Sequence, residues 1–167
     1  MDRTKKMKVF LVDDDTMFTE SLKHVLKEDK TDITVFSTGE DCLKSMENKK
    51  EYPKVVVLDY LLNGAHPSAM NGVQVLNKIK QADPDVEVIM LSAQNDVNIA
   101  MDTMKYGAYD YIGKGQYAFA KIRSDIKRLS DIKKQTDDFD KETRRLKRIN
   151  IFIVLLVILA FILGKIL

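Results

Sequence analysis

Residues 7–15, MKVFLVDDD, form a short apolar run that ends in three carboxylates. Three further short apolar runs also end in a polar or charged residue: VVVLD at 55–59, VIMLS at 88–92 and YIGK at 111–114. Each run is short and apolar on both faces, as are the strands of a buried parallel sheet. The closing residues Asp59, Ser92 and Lys114 therefore mark strand ends at the edge where open α/β sheets bind ligands.

Helical patterns separate these runs along the chain. With an extended segment at 33–36, the predicted strands are 7–12, 33–36, 55–58, 86–91 and 108–112, and the predicted helices lie near 18–26, 40–46, 73–79, 97–106 and 117–129. This alternation predicts an α/β fold of the flavodoxin-like (βα)5 type, a doubly wound parallel sheet with strand order 2-1-3-4-5. The switch point of that order lies between strands 1 and 3, which end in Asp13, Asp14 and Asp59.

Composition and charge exclude several classes of protein. The single cysteine, Cys42, allows no internal disulfide, and the two histidines complete no zinc pattern. Residues 1–120 carry 15 basic against 19 acidic side chains, whereas 121–148 carry 11 against 6. Because no DNA-reading motif follows the sheet, we expect no nucleic-acid binding and interpret the local basic excess as facing a membrane surface.

The charged strand ends predict a magnesium site. Clustered carboxylates raise one another's pKa and destabilise a fold unless a cation compensates them. Mg²⁺ prefers oxygen ligands and retains water, which suits Asp13, Asp14 and Asp59 plus a phosphoryl oxygen. With the metal and Lys114 screening its charge, Asp59 could attack phosphorus in line, while Ser92 hydrogen-bonds another oxygen of the transferred group.

These residues, in this order on these strands, make the chain resemble the receiver domain of bacterial two-component response regulators over about residues 6–130. The resemblance implies that Asp59 accepts a phosphoryl group from a histidine kinase or phosphotransfer protein. It also implies that Asp13 and Asp14 bind Mg²⁺ together with Asp59 and the backbone carbonyl of Leu61. Such a protein phosphorylates and dephosphorylates itself and is not a turnover enzyme.

The resemblance extends to regulatory positions. Tyr111 corresponds to the aromatic switch that responds when Ser92 moves toward the phosphate, and Leu61 and Gln94 hold the positions that tune the lifetime of the acyl phosphate. Two departures stand out. The loop at 60–71 is about five residues longer than usual, and Gly115 replaces a proline that family members have after the lysine.

Two other functions fit parts of the sequence. A phosphatase of the haloacid-dehalogenase type also uses an aspartate nucleophile, but position 17 is Met where that family has Thr or Val, and its later acidic pair is missing. A receiver-like membrane scaffold that ignores phosphorylation is favoured only by the loop and by Gly115. Asp15 is interpreted as the N-cap of the first helix.

The C-terminal tail predicts a membrane anchor. Arg144-Arg-Leu-Lys-Arg148 precedes thirteen unbroken apolar residues at 151–163. Residues 149–167 would extend about 28 Å as a helix, enough to cross a hydrocarbon core with Lys165 snorkelling to the interface. The positive-inside rule then keeps the domain on the cytoplasmic side of the bacterial inner membrane.

A charged helical linker at 131–148 joins the domain (6–130) to the predicted anchor (149–167). Its candidate seam is Leu129, Ile132, Thr136, Phe139, Thr143, Leu146 and Asn150. The polar members predict at most a weak homodimer. The sequence thus predicts a membrane-tethered single-domain response regulator that acts by contact with a partner or as a phosphoryl sink.

Overall fold

The computed structural model describes residues 6–27, 31–47, 52–62, 69–93 and 97–163. The five strands are β1 (Met7–Val12), β2 (Thr31–Phe36), β3 (Val55–Asp59), β4 (Glu87–Ser92) and β5 (Asp110–Gly113). The helices are α1 (Thr16–Leu26), α2 (Gly39–Met46), α3 (Gly72–Ala82), α4 (Val97–Lys105) and α5 (Ala118–Leu163). All strand pairs are parallel and the order is β2-β1-β3-β4-β5, which confirms the predicted flavodoxin-like topology.

The apolar runs form the strands because both of their faces are covered. Every residue of β3 is buried, and so are five of the six residues in both β1 and β4. On one face, strand side chains such as Phe10 and Val56 join residues of α2 and α3, including Cys42 and Leu76, in one apolar cluster. Burial raises the pKa of the Cys42 thiol to about 12, as expected of a cysteine that packs in the core.

The register brings the polar strand ends to one edge. Val12 pairs with Leu58, so the residues that follow β1 lie beside the end of β3. Asp59 pairs with Leu91 and Ser92 pairs with Gly113, which places Lys114 next along the same edge. The predicted convergence of chain-distant polar groups is therefore a direct result of strand pairing.

Helix α1 starts immediately beyond this edge because Asp15 caps it. The Asp15 carboxylate accepts hydrogen bonds from the backbone N–H groups of Met17 and Phe18, both at 3.0 Å. The interpretation of Asp15 as an N-cap is therefore confirmed. In the same way, Asn71 and Gln74 form a capping box at the start of α3.

Several boundaries differ from the prediction. Strand β2 begins at Thr31, two residues early, because the Thr31 hydroxyl donates to the Leu26 carbonyl and its backbone pairs with Met7. Strand β5 is shifted to Asp110–Gly113. Helix α5 has 46 residues. The prediction was a helix at 117–129 that continues as a helical linker over 131–148. The chain divides into two compact units, Met1–Lys127 and Arg128–Leu167.

The structure does not support the predicted transmembrane anchor. Within the residues described, no helix is at once long enough and apolar enough to span a bilayer. Part of the predicted anchor, namely the side chains of 156–163 and all of 164–167, lies outside the described residues.

Candidate functional site

Three carboxylates meet at the edge formed by β1 and β3. One oxygen from each of Asp13, Asp14 and Asp59 lies within 4.8 Å of the others. Asp13 and Asp59 are both 3% exposed, whereas Asp14 is exposed to solvent. Two buried acids and one accessible acid thus share a single small site, as the strand ends predicted.

Lys114 lies within contact distance of both buried acids. Its Nζ is 3.1 Å from Asp59 Oδ1 and 2.7 Å from Asp13 Oδ2. Asp13 Oδ2 accepts no hydrogen bond of good geometry, so its contact with the ammonium is an ion pair. The backbone N–H of Lys114 donates to the Ser92 carbonyl at 2.7 Å, and this bond between the ends of β4 and β5 positions the lysine.

The electrostatics of the site favour added positive charge. Burial, followed by the charge on Asp13, raises the pKa of Asp59, although Lys114 opposes both effects. Burial would lower the pKa of Lys114, but the contacts with Asp13 and Asp59 outweigh it and the pKa is raised. One ammonium therefore faces a surplus of carboxylate charge, which destabilises the ionised form of Asp59.

This arrangement fits Mg²⁺. The donors are hard carboxylate oxygens, they converge on one point, and the single ammonium of Lys114 leaves their negative charge only partly balanced. Asp13, Asp14 and Asp59 would hold the ion, as predicted. Leu61 follows Asp59 closely and is exposed, and the role of its carbonyl stays a prediction.

The predicted switch residues lie on neighbouring strands. Ser92 is 1% exposed at the end of β4. Tyr111 is half-buried in β5, where it packs against the apolar cluster and its backbone N–H donates to the Asp110 carboxylate at 2.7 Å. Their coupling stays a prediction. Gln94 and residues 63–68 of the long loop lie outside the described part of the chain.

Two further residues, not predicted from the sequence, shape the site. The ring of Phe18 lies 4.9 Å from Lys114 Nζ, a cation–π distance, and packs edge-on against Phe119 at 5.0 Å. Phe18 lies at the start of the helix predicted near 18–26, and helical periodicity does not reveal a contact with a distant strand end.

Gly72 is the second missed residue. A β-carbon on Gly72 would lie 2.3 Å from the Asp59 carbonyl oxygen and 2.8 Å from Tyr60 Cα. The start of α3 therefore approaches the backbone of Asp59 so closely that a side chain at position 72 would clash with it. The available sequence signal was the Asn71-Gly72 pair before an apolar helix, which indicates a helix start but not what the helix touches.

Comparison with known proteins finds relatives that are about 30% identical to this chain. The chain is 33% identical over 115 residues to protein-glutamate methylesterase/protein-glutamine glutaminase 2 of Paramagnetospirillum magneticum, covering 66% of this chain and 30% of that protein. It is 30% identical over 131 residues to the DNA-binding response regulator MtrA of Mycobacterium bovis, covering 77% and 54%. The chain thus spans between about a third and about half of the length of these relatives.

A solved structure shows the same fold. The signal receiver domain of a putative Luxo repressor protein from Vibrio parahaemolyticus superposes with a TM-score of 0.68 at 28% identity, covering 79% of this chain and 95% of that one. The family model "Response regulator receiver domain" matches residues 9–127, a range that contains all the charged residues of the site. This chain therefore belongs to the response regulator receiver domain family.

Proposed function

We propose that Asp59 accepts a phosphoryl group from the phosphohistidine of a sensor histidine kinase or phosphotransfer protein, in a reaction that requires Mg²⁺. The observation that carries the proposal is the position of Lys114, whose Nζ lies 3.1 Å from Asp59 and 2.7 Å from Asp13. A lysine held between a buried nucleophile and a buried metal ligand suits the binding of an incoming phosphoryl group.

The chemistry follows from the positions of these groups. A carboxylate oxygen of Asp59 attacks phosphorus, the new P–O bond forms, and the P–N bond to the donor histidine breaks as that imidazole leaves with the bond's electron pair and takes up a proton. Bound Mg²⁺ would neutralise charge on the phosphoryl oxygens. Lys114 pairs with another of these oxygens, and Ser92, buried at the end of β4, donates to a further one. The protein is itself the acceptor and does not turn over a substrate.

Acyl-phosphate labelling tests the proposal. The full chain is incubated with Mg²⁺ and acetyl phosphate, and its intact mass is followed over time. We expect a gain of one phosphoryl group that disappears when EDTA replaces Mg²⁺. No gain in mass, under conditions in which another receiver domain is labelled, would favour the alternative function, a receiver-like scaffold that ignores phosphorylation.

Magnesium binding should depend on Asp14. We expect Mg²⁺ to raise the melting temperature. At a hundred times its dissociation constant, Mg²⁺ should add about 2.7 kcal/mol to the free energy of unfolding. Asp14→Asn should weaken Mg²⁺ binding by roughly tenfold, because it removes one charge close to the ion. Asp14 is exposed, so the substitution should leave the fold intact. Asp137→Asn, at another exposed aspartate, is the matched control. Equal melting shifts in both variants would contradict the assignment.

We further propose that output works through contact. Helix α4 exposes Met101 (50%) and Met104 (48%), and Tyr106 follows at 49%. Exposed apolar side chains beside β5, the strand that carries Tyr111, suit a partner surface that phosphorylation could alter. The same chemistry also allows the chain to act as a phosphoryl sink that competes for a kinase.

We also propose attachment to the inner membrane, with the receiver domain on the cytoplasmic side. The support is the sequence of the tail, in which the basic cluster at 144–148 precedes thirteen apolar residues, and the exposure of every side chain from Ile151 to Leu155. The test is fractionation of cells that make the full chain, followed by a carbonate wash of the membranes.

We expect the wild-type chain in the washed membrane pellet. Val154→Arg/Leu155→Arg should move it to the supernatant, because each arginine costs about 2.5–3.5 kcal/mol in a membrane-spanning helix. Asp131→Arg introduces the same residue outside the apolar run and should leave the chain in the pellet. A wild-type chain found in the supernatant would contradict membrane attachment.

A further inference from the structure

The ammonium of Lys114 is held by groups from three different parts of the chain. Its Nζ lies 2.7 Å from Asp13 Oδ2 and 3.1 Å from Asp59 Oδ1, and it lies 4.9 Å from the centroid of the Phe18 ring. An ammonium at this distance is attracted to the negative face of the ring, more strongly where water is excluded. The Lys114 side chain is only 16% exposed, so Phe18 adds a sizeable attraction that comes from an uncharged group.

The Phe18 ring is fixed from two directions. The backbone N–H of Phe18 donates to the capping carboxylate of Asp15 at 3.0 Å, which places the residue in the first turn of α1. The ring packs edge-on against Phe119 of α5, with centroids 5.0 Å apart and planes at 64°. Edge-on contact is a favoured arrangement of two aromatic rings. The ring therefore has a defined position beside the ammonium, on supports other than the acids of the metal site.

The Lys114 side chain needs such a contact because its stem is flexible. The backbone N–H of Lys114 donates to the Ser92 carbonyl, but a flexible four-carbon stem separates that backbone from the ammonium. The next residue is Gly115, and a β-carbon there would meet nothing within 4 Å, so the space on that side of the lysine is open. The position of the ammonium therefore depends on the groups around its tip.

We propose that Phe18 is a positioning residue for phosphoryl acceptance, whose ring keeps the Lys114 ammonium in the site when Mg²⁺ binds the carboxylates. The inference rests on the function proposed above. Asp13 and Asp59 are two of the expected ligands of the ion, so Mg²⁺ would compete with Lys114 for their charge. Mg²⁺ prefers oxygen ligands and would not compete for the face of a phenyl ring. The attraction of Phe18 therefore remains while the two ion pairs weaken, and the ammonium stays where a phosphoryl oxygen can meet it.

Fluorination of the Phe18 ring tests the proposal, because it changes the charge distribution of the ring with little change in its shape. In the full chain, Phe18 is replaced by a trifluorinated phenylalanine, whose fluorines withdraw electrons from the ring face. The chain is incubated with Mg²⁺ and acetyl phosphate, a donor too small to require a protein docking surface, and the phosphoryl adduct is followed by intact mass. We expect its initial rate of formation to fall about fivefold, the factor that corresponds to a lost attraction of about 1 kcal/mol.

The same replacement at Phe36 is the matched control. The Phe36 ring also forms an edge-on pair, with Phe10, in which the centroids are 4.8 Å apart and the planes lie at 65°. It packs against the apolar cluster that contains residues of α2 and α3. We expect the fluorinated Phe36 chain to be labelled within about twofold of the wild-type rate. Phe18→Leu, which lacks a ring, should be slow, whereas Phe18→Tyr keeps the ring face and should recover most of the rate.

Unfolding without Mg²⁺ provides a readout that does not depend on phosphoryl transfer. The fluorinated Phe18 ring and Lys114→Met are introduced separately and together, and the unfolding constant of each chain is measured in urea. Methionine keeps an unbranched stem but has no charge. We expect fluorination to raise the unfolding constant about fivefold when Lys114 is present and by less than about twofold when it is replaced. Equal effects in both backgrounds would show that the ring does not act on the ammonium.

Failure of this inference and failure of the proposed function give different results. If the wild-type chain and the fluorinated Phe18 chain are labelled at the same rate, the proposed function stands and Phe18 does not position Lys114. Equal slowing of the fluorinated Phe18 and Phe36 chains would attribute the effect to ring packing and would also overturn the inference. If the wild-type chain takes up no phosphoryl group while another receiver domain is labelled, the proposed function fails, and the inference fails with it.

Discussion

Asp59→Asn is expected to abolish the phosphoryl adduct, lowering its yield at least about 100-fold below that of the wild-type chain, because an amide cannot supply the attacking carboxylate oxygen. Asp13 and Asp14 should not substitute for it. Asp13 is paired with Lys114 at 2.7 Å, and both acids belong to the expected metal site. The measurement is intact mass after incubation of both chains with Mg²⁺ and acetyl phosphate.

Asp15→Asn is the matched control for this experiment. It changes an adjacent aspartate in the same way, and asparagine is as good an N-cap as aspartate, so α1 should still start correctly. We expect the Asp15 variant to be labelled like the wild-type chain. A persistent adduct in the Asp59 variant would show that another side chain is the acceptor.

Thermal stability shows whether the Asp59 variant is folded. Burial and Asp13 raise the pKa of Asp59, so the folded state binds its proton more tightly than the unfolded state does. The ionised carboxylate therefore destabilises the fold at neutral pH, and this penalty fades as the pH falls through the raised pKa toward 3.8, the ordinary pKa of an aspartate. Without Mg²⁺ at neutral pH, Asp59→Asn should melt higher than the wild-type chain, by about 1 kcal/mol or about 3 °C.

Gly72→Ala is expected to cause the largest loss of stability, about 2–3 kcal/mol, or a fall in melting temperature of roughly 6–10 °C. The added methyl group would lie 2.3 Å from the Asp59 carbonyl oxygen and 2.8 Å from Tyr60 Cα. Both obstacles are backbone atoms, which cannot rotate away as a flexible side chain could. Relief requires a shift of α3 or of the end of β3, so phosphoryl acceptance by Asp59 should slow as well.

Gly115→Ala is the control for this substitution. A β-carbon at Gly115 meets nothing within 4 Å, and this glycine is next to Lys114 in the same site. We expect a stability change within about 0.5 kcal/mol. If the two alanine variants melted at the same temperature, the close approach of α3 to β3 would not restrict position 72 to glycine.

Local patterns were sufficient to predict much of the fold. The run at 55–58 predicted β3 because a short apolar segment bounded by polar residues is typical of a buried strand. The parallel order followed from the alternation of strands with helices, since crossover connections leave few topologies. Asp15 was predictable as a cap because an N-cap satisfies backbone N–H groups only a few residues away.

Features that depend on distant contacts were predicted less well. The first residues of β2 were missed because they are extended by pairing with Met7 and by the bond from Thr31 to Leu26, not by their own apolar pattern. The transmembrane anchor rests on hydropathy alone, and the structure does not support it.

The pattern of apolar runs along the chain is enough to specify which residues end the strands, and hence that Asp13, Asp59 and Lys114 share one edge, because strand register follows from burial of short apolar runs. The short distances at that edge depend instead on tertiary packing. The contact of Lys114 with both acids, the ring of Phe18 beside its ammonium and the approach of Gly72 to Asp59 all join elements far apart in the chain. Such contacts depend on the packing of whole helices against the sheet, which leaves no periodic trace in the sequence.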